Sequence, residues 1–190
     1  MNEAQVIVDD KVPVVRIIRE FDAPVAKVFR AHVEPELFAK WNWPDGYSVR
    51  FDQYDCRTGG AYRIAMSGPE MQGSVHGSFH DVITNELIVQ TFAPDGVADF
   101  VVLEKHRFED LGDGRTRLTA QSLVESFEHR DSFIDAATQA RVSMEGRRCL
   151  NPPSLQSPSV MSASLFVRGL RRNGFPTGQR QSGRLPSPWL

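Results

Sequence analysis

The sequence predicts an α+β fold in which a curved antiparallel β-sheet carries two short helices after its first strand and a C-terminal helix. Three observations lead to this prediction. Apolar residues first form a β-branched run, then recur at helical spacing between prolines, and then alternate through six short segments separated by turn residues. With 41% hydrophobic residues and twelve Phe, the chain of 190 residues can bury the core of one domain.

The first strand and the two helices are predicted for residues 12–43. Residues 12–21 (VPVVRIIREF) are rich in β-branched side chains, which favour a strand. A first helix follows Pro24, because proline is favoured where a helix begins, and these residues recur at helical spacing: Val25, Val28, Phe29 and His32. A second helix opens at Pro35, ends at the Pro44-Asp45-Gly46 turn, and places these residues on one face: Leu37, Phe38 and Trp41.

From Tyr47 onward the hydrophobic period is two, which is typical of half-buried strands. Six strands are predicted, at residues 47–51, 62–66, 75–79, 87–92, 100–108 and 116–123. Glycine-containing turns at residues 57–60, 67–69 and 111–114 separate several of them. Sequential strands joined by short turns indicate an antiparallel meander. A last helix is predicted from residue 131, with this apolar stripe: Phe133, Ile134, Ala137, Arg141 and Met144.

The composition changes abruptly after Gly146. Residues 147–190 hold seven Arg, no Lys and no acidic residue, so the first 146 residues carry 15 − 24 = −9 and the remainder carries +7. We therefore divide the chain into a ligand-pocket domain at 1–146 and an atypical Arg-, Ser- and Pro-rich tail at 147–190. The tail is expected to be disordered or to pack irregularly, with residues 157–170 docking, if ordered, where further turns of the last helix would lie.

Four stretches carry a resemblance to a known family: REFDAPVAKVFRAHVEPELFAKWNWPDGYSV, FDQYDCRTGGAYRIAMSGP, GSFHDVITNELIVQTF and EKHRFEDLGDGRTRLT. Their order resembles the activator-of-heat-shock-protein-90-ATPase homologue family, within the START-like, birch-pollen-allergen-like superfamily. The resemblance implies a helix-grip fold, with a cavity between the sheet and a long C-terminal helix. After Glu145 the chain departs from the family pattern, and the tail composition suggests a shifted reading frame.

The resemblance also implies three alternative functions. The first is non-catalytic binding of an apolar small molecule in the cavity. The second is a chaperone-assisting, protein-binding module active in stress responses, with heat-shock protein 90 as the partner of the family's namesake. The third is an enzyme like the few cyclases and hydrolases of the superfamily. The binding function is preferred, because no catalytic signature such as G-x-S-x-G, a P-loop or a dinucleotide fingerprint is present.

Candidate pocket residues follow from strand alternation, because residues i, i+2 and i+4 share one face. The predicted lining consists of Phe51, Tyr62, Ile64, Met66, Val75, Gly77 and Phe79, with Ile134 from the last helix. Gly77 is expected to leave an open space between neighbouring rings. Trp41 and Trp43 bracket the end of the second helix and are both candidate ligand contacts. For Trp41 the alternative of a plug of the core weighs at least as much, so Trp43 is the better candidate. The alternative that these rows are ordinary core stays open.

Glu104 and His106 are the candidate polar groups. They share a strand face with Val102 and Phe108, so an inward Phe108 draws both toward the interior. A buried carboxylate beside an imidazole can hold a hydrogen-bonding ligand or act as general acid and base. The competing interpretation is an edge strand on which both side chains reach solvent.

Several classes of function are not expected. His76 and His80 lie about 13 Å apart if extended, and no C-x-x-C is present, so neither a metal site nor a cofactor is predicted. Cys56 and Cys149 cannot form a disulfide framework, and the acidic N-terminus does not resemble a signal peptide, so the cytoplasm is the expected location. Neither nucleic acid nor membrane is an expected partner. A homodimer is possible if an apolar groove stays open.

Overall fold

The computed structural model describes residues 4–43, 46–69, 72–132 and 134. Within these ranges eight strands form one antiparallel sheet, and two short helices follow the second strand. The elements are β1 Gln5–Val8, β2 Val14–Phe21, α1 Val25–Val33, α2 Pro35–Asn42, β3 Ser48–Tyr54, β4 Ala61–Ser67, β5 Gln72–Ile83, β6 Leu87–Pro94, β7 Val102–Gly112 and β8 Arg115–Leu123. This arrangement confirms the predicted α+β class. None of the described helices is long and apolar enough to cross a membrane.

The strand order across the sheet is β1-β2-β8-β7-β6-β5-β4-β3. Strands β3 to β8 each pair with their sequence neighbour, as a meander requires, and β2 pairs with β8. The six strands predicted after the helices are all present. The first predicted strand begins at Val14 rather than at residue 12, and β1 was not predicted. Three of its four side chains are exposed, so it has no inward apolar row to signal a strand.

The strand register brings the inward-facing rows onto one face of the sheet, here called the inner face. Directly paired residues of antiparallel strands project to the same side. The pairs Phe51↔Ile64 and Ile64↔Val75 link β3, β4 and β5, and Phe79↔Gln90 and Gln90↔Glu104 continue through β6 to β7. His106↔Ala120 and Phe108↔Leu118 carry the face to β8. The predicted single inner face is therefore confirmed.

Helix α1 packs on the inner face through the residues that its spacing predicted. Val28, Phe29 and His32 are its buried side chains. The Phe29 ring meets the Phe108 ring of β7 edge-on, with centroids 5.2 Å apart. Helix α2 begins directly afterwards, with Pro35 in its first turn, where the missing N–H has no intrahelical partner to lose.

A further helix begins after β8, at residue 127, four residues before the predicted start. The backbone N–H of His129 donates to Ser126 Oγ at 3.1 Å, so Ser126 caps this helix and fixes its start. Ile134 packs against the hydrophobic core, as predicted. The rest of the predicted stripe, at residues 133, 137, 141 and 144, and the tail at 147–190 lie outside the described residues.

Candidate functional site

Most of the predicted lining residues lie together on the inner face. Tyr62, Ile64, Met66, Val75 and Phe79 are each at most 5% exposed and belong to one hydrophobic cluster. Phe51 is half-buried and packs against the same cluster. The placement of these side chains is confirmed. Whether they also contact a ligand remains a prediction.

Gly77 does not leave the open space that the sequence suggested. A Cβ atom added at Gly77 would lie 1.9 Å from the Thr91 carbonyl oxygen and 2.7 Å from the Tyr62 ring. The Tyr62 ring covers Gly77 from the paired position on β4. Its hydroxyl donates to the Thr91 carbonyl at 2.9 Å, which fixes the ring there. The prediction of a gap is wrong because a cross-strand aromatic ring fills it.

Glu104 is buried at the centre of the sheet. Its side chain is 1% exposed, and β7 lies between β6 and β8, so the interpretation as a solvent-facing edge strand is wrong. Gln90 Nε2 donates to Glu104 Oε2 at 2.7 Å. The pKa of Tyr62 is raised well above its usual value, first by burial and then by the negative charge of Glu104. A carboxylate therefore lies among apolar walls, close to a tyrosine ring.

His106 and His32 form a pair of imidazoles on the inner face. Their ring centroids are 6.0 Å apart, and the Phe108 ring lies 5.1 Å from that of His32. Burial lowers the pKa of His106 from 6.5 to about 4. Burial, and then the nearby charge of His106, lower the pKa of His32 from 6.5 to about 3. Both rings are therefore neutral at physiological pH.

His32 is a functional candidate that the sequence did not single out. Its Nδ1 lies 2.8 Å from the Val28 carbonyl oxygen, and because that oxygen can only accept, Nδ1 carries the proton. The lone pair is therefore on Nε2, which is buried and meets no hydrogen-bond partner in the described structure. Such a group costs about 1–3 kcal/mol of stability. The helical spacing of α1 predicted that His32 faces inward, but not that one nitrogen lacks a partner.

A half-buried aromatic cluster joins α2 to β3 beside the two histidines. It consists of Phe38, Trp41, Phe51 and Tyr54. The Tyr54 hydroxyl donates to the His32 carbonyl at 2.7 Å, and the Trp41 indole N–H donates to the Ala31 carbonyl at 2.7 Å. The first bond ties α1 to β3, and the second ties α2 to α1.

The structure reverses the preference between the two tryptophans. Trp43, favoured by the sequence as the ligand contact, is 8% exposed and lies in the core. Trp41, the less favoured of the two candidate ligand contacts, stays half-buried with its ring 4.8 Å from that of His32. Trp41 is therefore better placed than Trp43 to meet a molecule from outside.

The chemistry available on this face is that of binding by apolar walls and a few polar groups. The polar groups include two neutral imidazoles, the Glu104 carboxyl group, the Gln90 amide and two tyrosine hydroxyls. In the described ranges, no three His, Cys, Asp or Glu side chains are grouped as metal ligands would be. A catalytic role for Glu104 or His106 remains a prediction.

Comparison with known proteins supports the fold and gives the family. The sequence model described as "Activator of Hsp90 ATPase homolog 1-like protein" matches residues 22–146. A protein from Rhodobacter sphaeroides is 19% identical, covering 77% of this chain and 95% of its own, with a TM-score of 0.65. The Mycobacterium smegmatis protein Ms6760 is 21% identical, covering 81% of this chain and 100% of its own, with a TM-score of 0.64.

A third structure, protein NE0264 from Nitrosomonas europaea, is 25% identical and covers 70% of this chain and 88% of its own, with a TM-score of 0.58. No curated protein matches the sequence. The structural likenesses concern the fold, and the family model spans most of the domain that carries the inner face. The predicted resemblance is confirmed, and the chain belongs to the Activator of Hsp90 ATPase homolog 1-like family.

Proposed function

We propose that this protein binds an apolar small molecule between the inner face of its sheet and its last helix. The observation that carries the proposal concerns His106. Its side chain keeps some accessible surface, although Glu104 and Phe108, two residues away on either side, are only 1% and 5% exposed. A partly accessible side chain between two buried ones on the inner face is a place where an apolar molecule can rest against the sheet.

The surroundings of His106 support an apolar ligand. His106 lies on β7 between Glu104 and Phe108, on the same face as the buried rings of Tyr62 and Phe79. Small-molecule sites are typically lined by apolar and aromatic side chains, with a few polar groups that fix orientation. The half-buried rings of Phe38 and Trp41 offer further apolar surface on the helix side.

Filling the space tests the proposal. His106→Trp places a larger ring in the proposed site, and Lys105→Trp places the same ring on the exposed, opposite face of the same strand. Each full-length variant is titrated with Nile red, whose fluorescence rises in apolar surroundings. We expect wild type and Lys105→Trp to bind the dye alike. His106→Trp should lose at least about tenfold in affinity, because its indole takes the place of the dye and so removes apolar contact between the dye and the inner face.

The outcome is interpretable only for folded variants, so far-ultraviolet circular dichroism accompanies each titration. If His106→Trp does not fold, His106→Phe supplies a smaller change at the same place. A folded His106→Trp that binds Nile red as wild type does would contradict an internal site at this position. Absence of dye binding by the wild type would contradict the proposed function itself.

A further inference from the structure

Three polar side chains keep accessible surface at the centre of the inner face. In residues 88–94 of β6, 102–108 of β7 and 116–122 of β8, every inward side chain is buried except those of Gln90, His106 and Ser122. Their inward apolar neighbours on these strands, such as Phe92 and Ala120, are at most 7% exposed. The accessible part of this wall is therefore polar, whereas its buried part is mostly apolar.

The three side chains lie close together around Glu104. Gln90, Glu104 and Ser122 are paired in one row across β6, β7 and β8. His106 follows Glu104 by two residues on the same face, diagonal to both Gln90 and Ser122. Diagonal neighbours in a sheet are about 7–8 Å apart, and the two ends of the row are about 10 Å apart. One small polar group of a ligand can therefore contact His106 together with either Gln90 or Ser122.

Each of these side chains has hydrogen-bonding capacity that no described residue uses. Gln90 donates through Nε2 to Glu104 Oε2 at 2.7 Å, which leaves its second amide hydrogen and its carbonyl oxygen. The Ser122 hydroxyl and both ring nitrogens of His106 have no hydrogen-bond partner in the described ranges, and unlike Nε2 of His32 they are not fully enclosed. An amide, a hydroxyl and a neutral imidazole each offer a donor and an acceptor. This part of the face can therefore both donate to a ligand and accept from it.

We propose that Gln90, His106 and Ser122 form a polar subsite for a hydroxyl group, so that the ligand is an apolar molecule that carries an alcohol. This inference rests on the proposed function and specifies the polar group of its ligand. A hydroxyl group donates and accepts at the same time, so it can use both kinds of capacity that the subsite offers. A charged group would lose water against three neutral side chains that do not compensate its charge, which costs more free energy.

Four probes of equal carbon number test the hydroxyl subsite: decan-1-ol, its isomer methyl nonyl ether, decanoate and decylammonium. Each probe competes with Nile red for the full-length protein at neutral pH, below the concentration at which the probe aggregates, and the fall in fluorescence gives its affinity. We expect decan-1-ol to bind about two- to tenfold more tightly than methyl nonyl ether, which cannot donate, because this ratio corresponds to one net hydrogen bond. Both ions should bind more weakly than decan-1-ol.

Two variants assign the preference to the subsite. Gln90→Leu and Ser122→Ala each remove one of its polar groups, and we expect at least one of them to lower the ratio of the two affinities towards one. Gln121→Leu and Ser78→Ala make the same exchanges on the opposite face of the sheet and should keep the ratio. Gln90→Leu also removes the bond to Glu104, so circular dichroism accompanies each titration. If Gln90→Leu does not fold, Ser122→Ala and the wild-type ranking of the probes decide.

The possible failures differ from one another. Equal binding of decan-1-ol and methyl nonyl ether, or a ratio unchanged in both folded variants, would overturn the hydroxyl subsite and leave the apolar site intact. Tightest binding of decanoate or decylammonium would overturn it in favour of recognition of an ion. Nile red that binds but is displaced by none of the four probes would also overturn the subsite. Absence of Nile red binding by the wild type would overturn the subsite and the proposed function together.

Discussion

The fit between Gly77 and Tyr62 shows how one cross-strand neighbour decides which residue a strand position accepts. Gly77→Ala would press its methyl group against the Thr91 carbonyl and the Tyr62 ring. We expect the free energy of unfolding to fall by about 1–3 kcal/mol, the usual range for an overpacked core. Urea denaturation measures the change. Ser78→Ala, at the adjacent exposed position, serves as control and should change stability by less than about 0.5 kcal/mol.

Two histidines of the inner face, His32 and His106, make stability depend on pH in a defined window. Between about pH 4 and 6.5 the unfolded chain protonates His32 and His106, whereas the folded protein does not, because their pKa values are lowered to about 3 and about 4. The unfolded state binds more protons there. The contribution of the two neutral histidines to the free energy of unfolding is therefore fully present above pH 6.5 and is lost as pH falls through the window. Each histidine lowers the free energy of unfolding by up to about 1.4 kcal/mol per pH unit.

Urea denaturation from about pH 5 to 7 measures this slope. Carboxylates with lowered pKa values change the free energy of unfolding mainly below about pH 5, so they contribute little in this range. Those carboxylates are Asp9, Glu34, Asp52 and Asp95. His106→Phe should flatten the slope, and His80→Phe should leave it unchanged. A slope that is the same in all three proteins would show that His106 titrates normally when folded.

Among the secondary-structure elements, β3 shows why the site was only partly predictable. Strict alternation from Phe51 places residue 53 on the inner face and Tyr54 outside. The register shifts between Phe51 and Gln53, so Tyr54 pairs with Tyr62 and faces inward instead. A β-bulge adds one residue to one strand and reverses the alternation beyond it. Strand number, turns and the rows of β4 and β5 follow from local sequence, but a bulge and a ring that fills a cross-strand gap depend on the partner strand.

The contribution of the N-cap of the last helix to stability can be measured directly. Ser126 caps it through the N–H of His129. We expect Ser126→Ala to lower the free energy of unfolding by about 1 kcal/mol, as loss of an N-cap usually does. Ser132→Ala, an exposed position in the same helix, should be neutral or slightly stabilising, since alanine is the better helix former. Equal effects of the two substitutions would contradict the capping role.

At the scale of the whole molecule, two truncations test the proposed domain boundary. A chain ending at residue 146 retains the entire family match and the −9 net charge of the first region. We expect both this chain and the full chain to unfold cooperatively. A chain ending at residue 125 loses Ile134, which packs against the core, and should unfold at a lower temperature. Thermal unfolding followed by circular dichroism measures both. Loss of cooperativity in the longer chain would place the boundary elsewhere.

The overall architecture was predictable because it depends on features that recur along the whole chain. The β-branched run, six alternating segments and two prolines predicted strands β2 to β8 and the helix pair, but not β1. The hydrogen bonds of the inner face were not predictable. They depend on which carbonyl each tyrosine hydroxyl reaches and on the tautomer that Val28 imposes on His32.

The pairing of β2 with β8 also affects how the chain reaches its native state. Val14 meets Leu123 in this ladder, so its closure joins residues more than a hundred positions apart. The hairpins from β3 to β8 can form between neighbours in microseconds, whereas closing so long a loop is entropically slower. On the ribosome, β2 must wait until β8 has left the exit tunnel. Synthesis of β8 therefore sets the earliest time at which this ladder can form and the sheet can be completed.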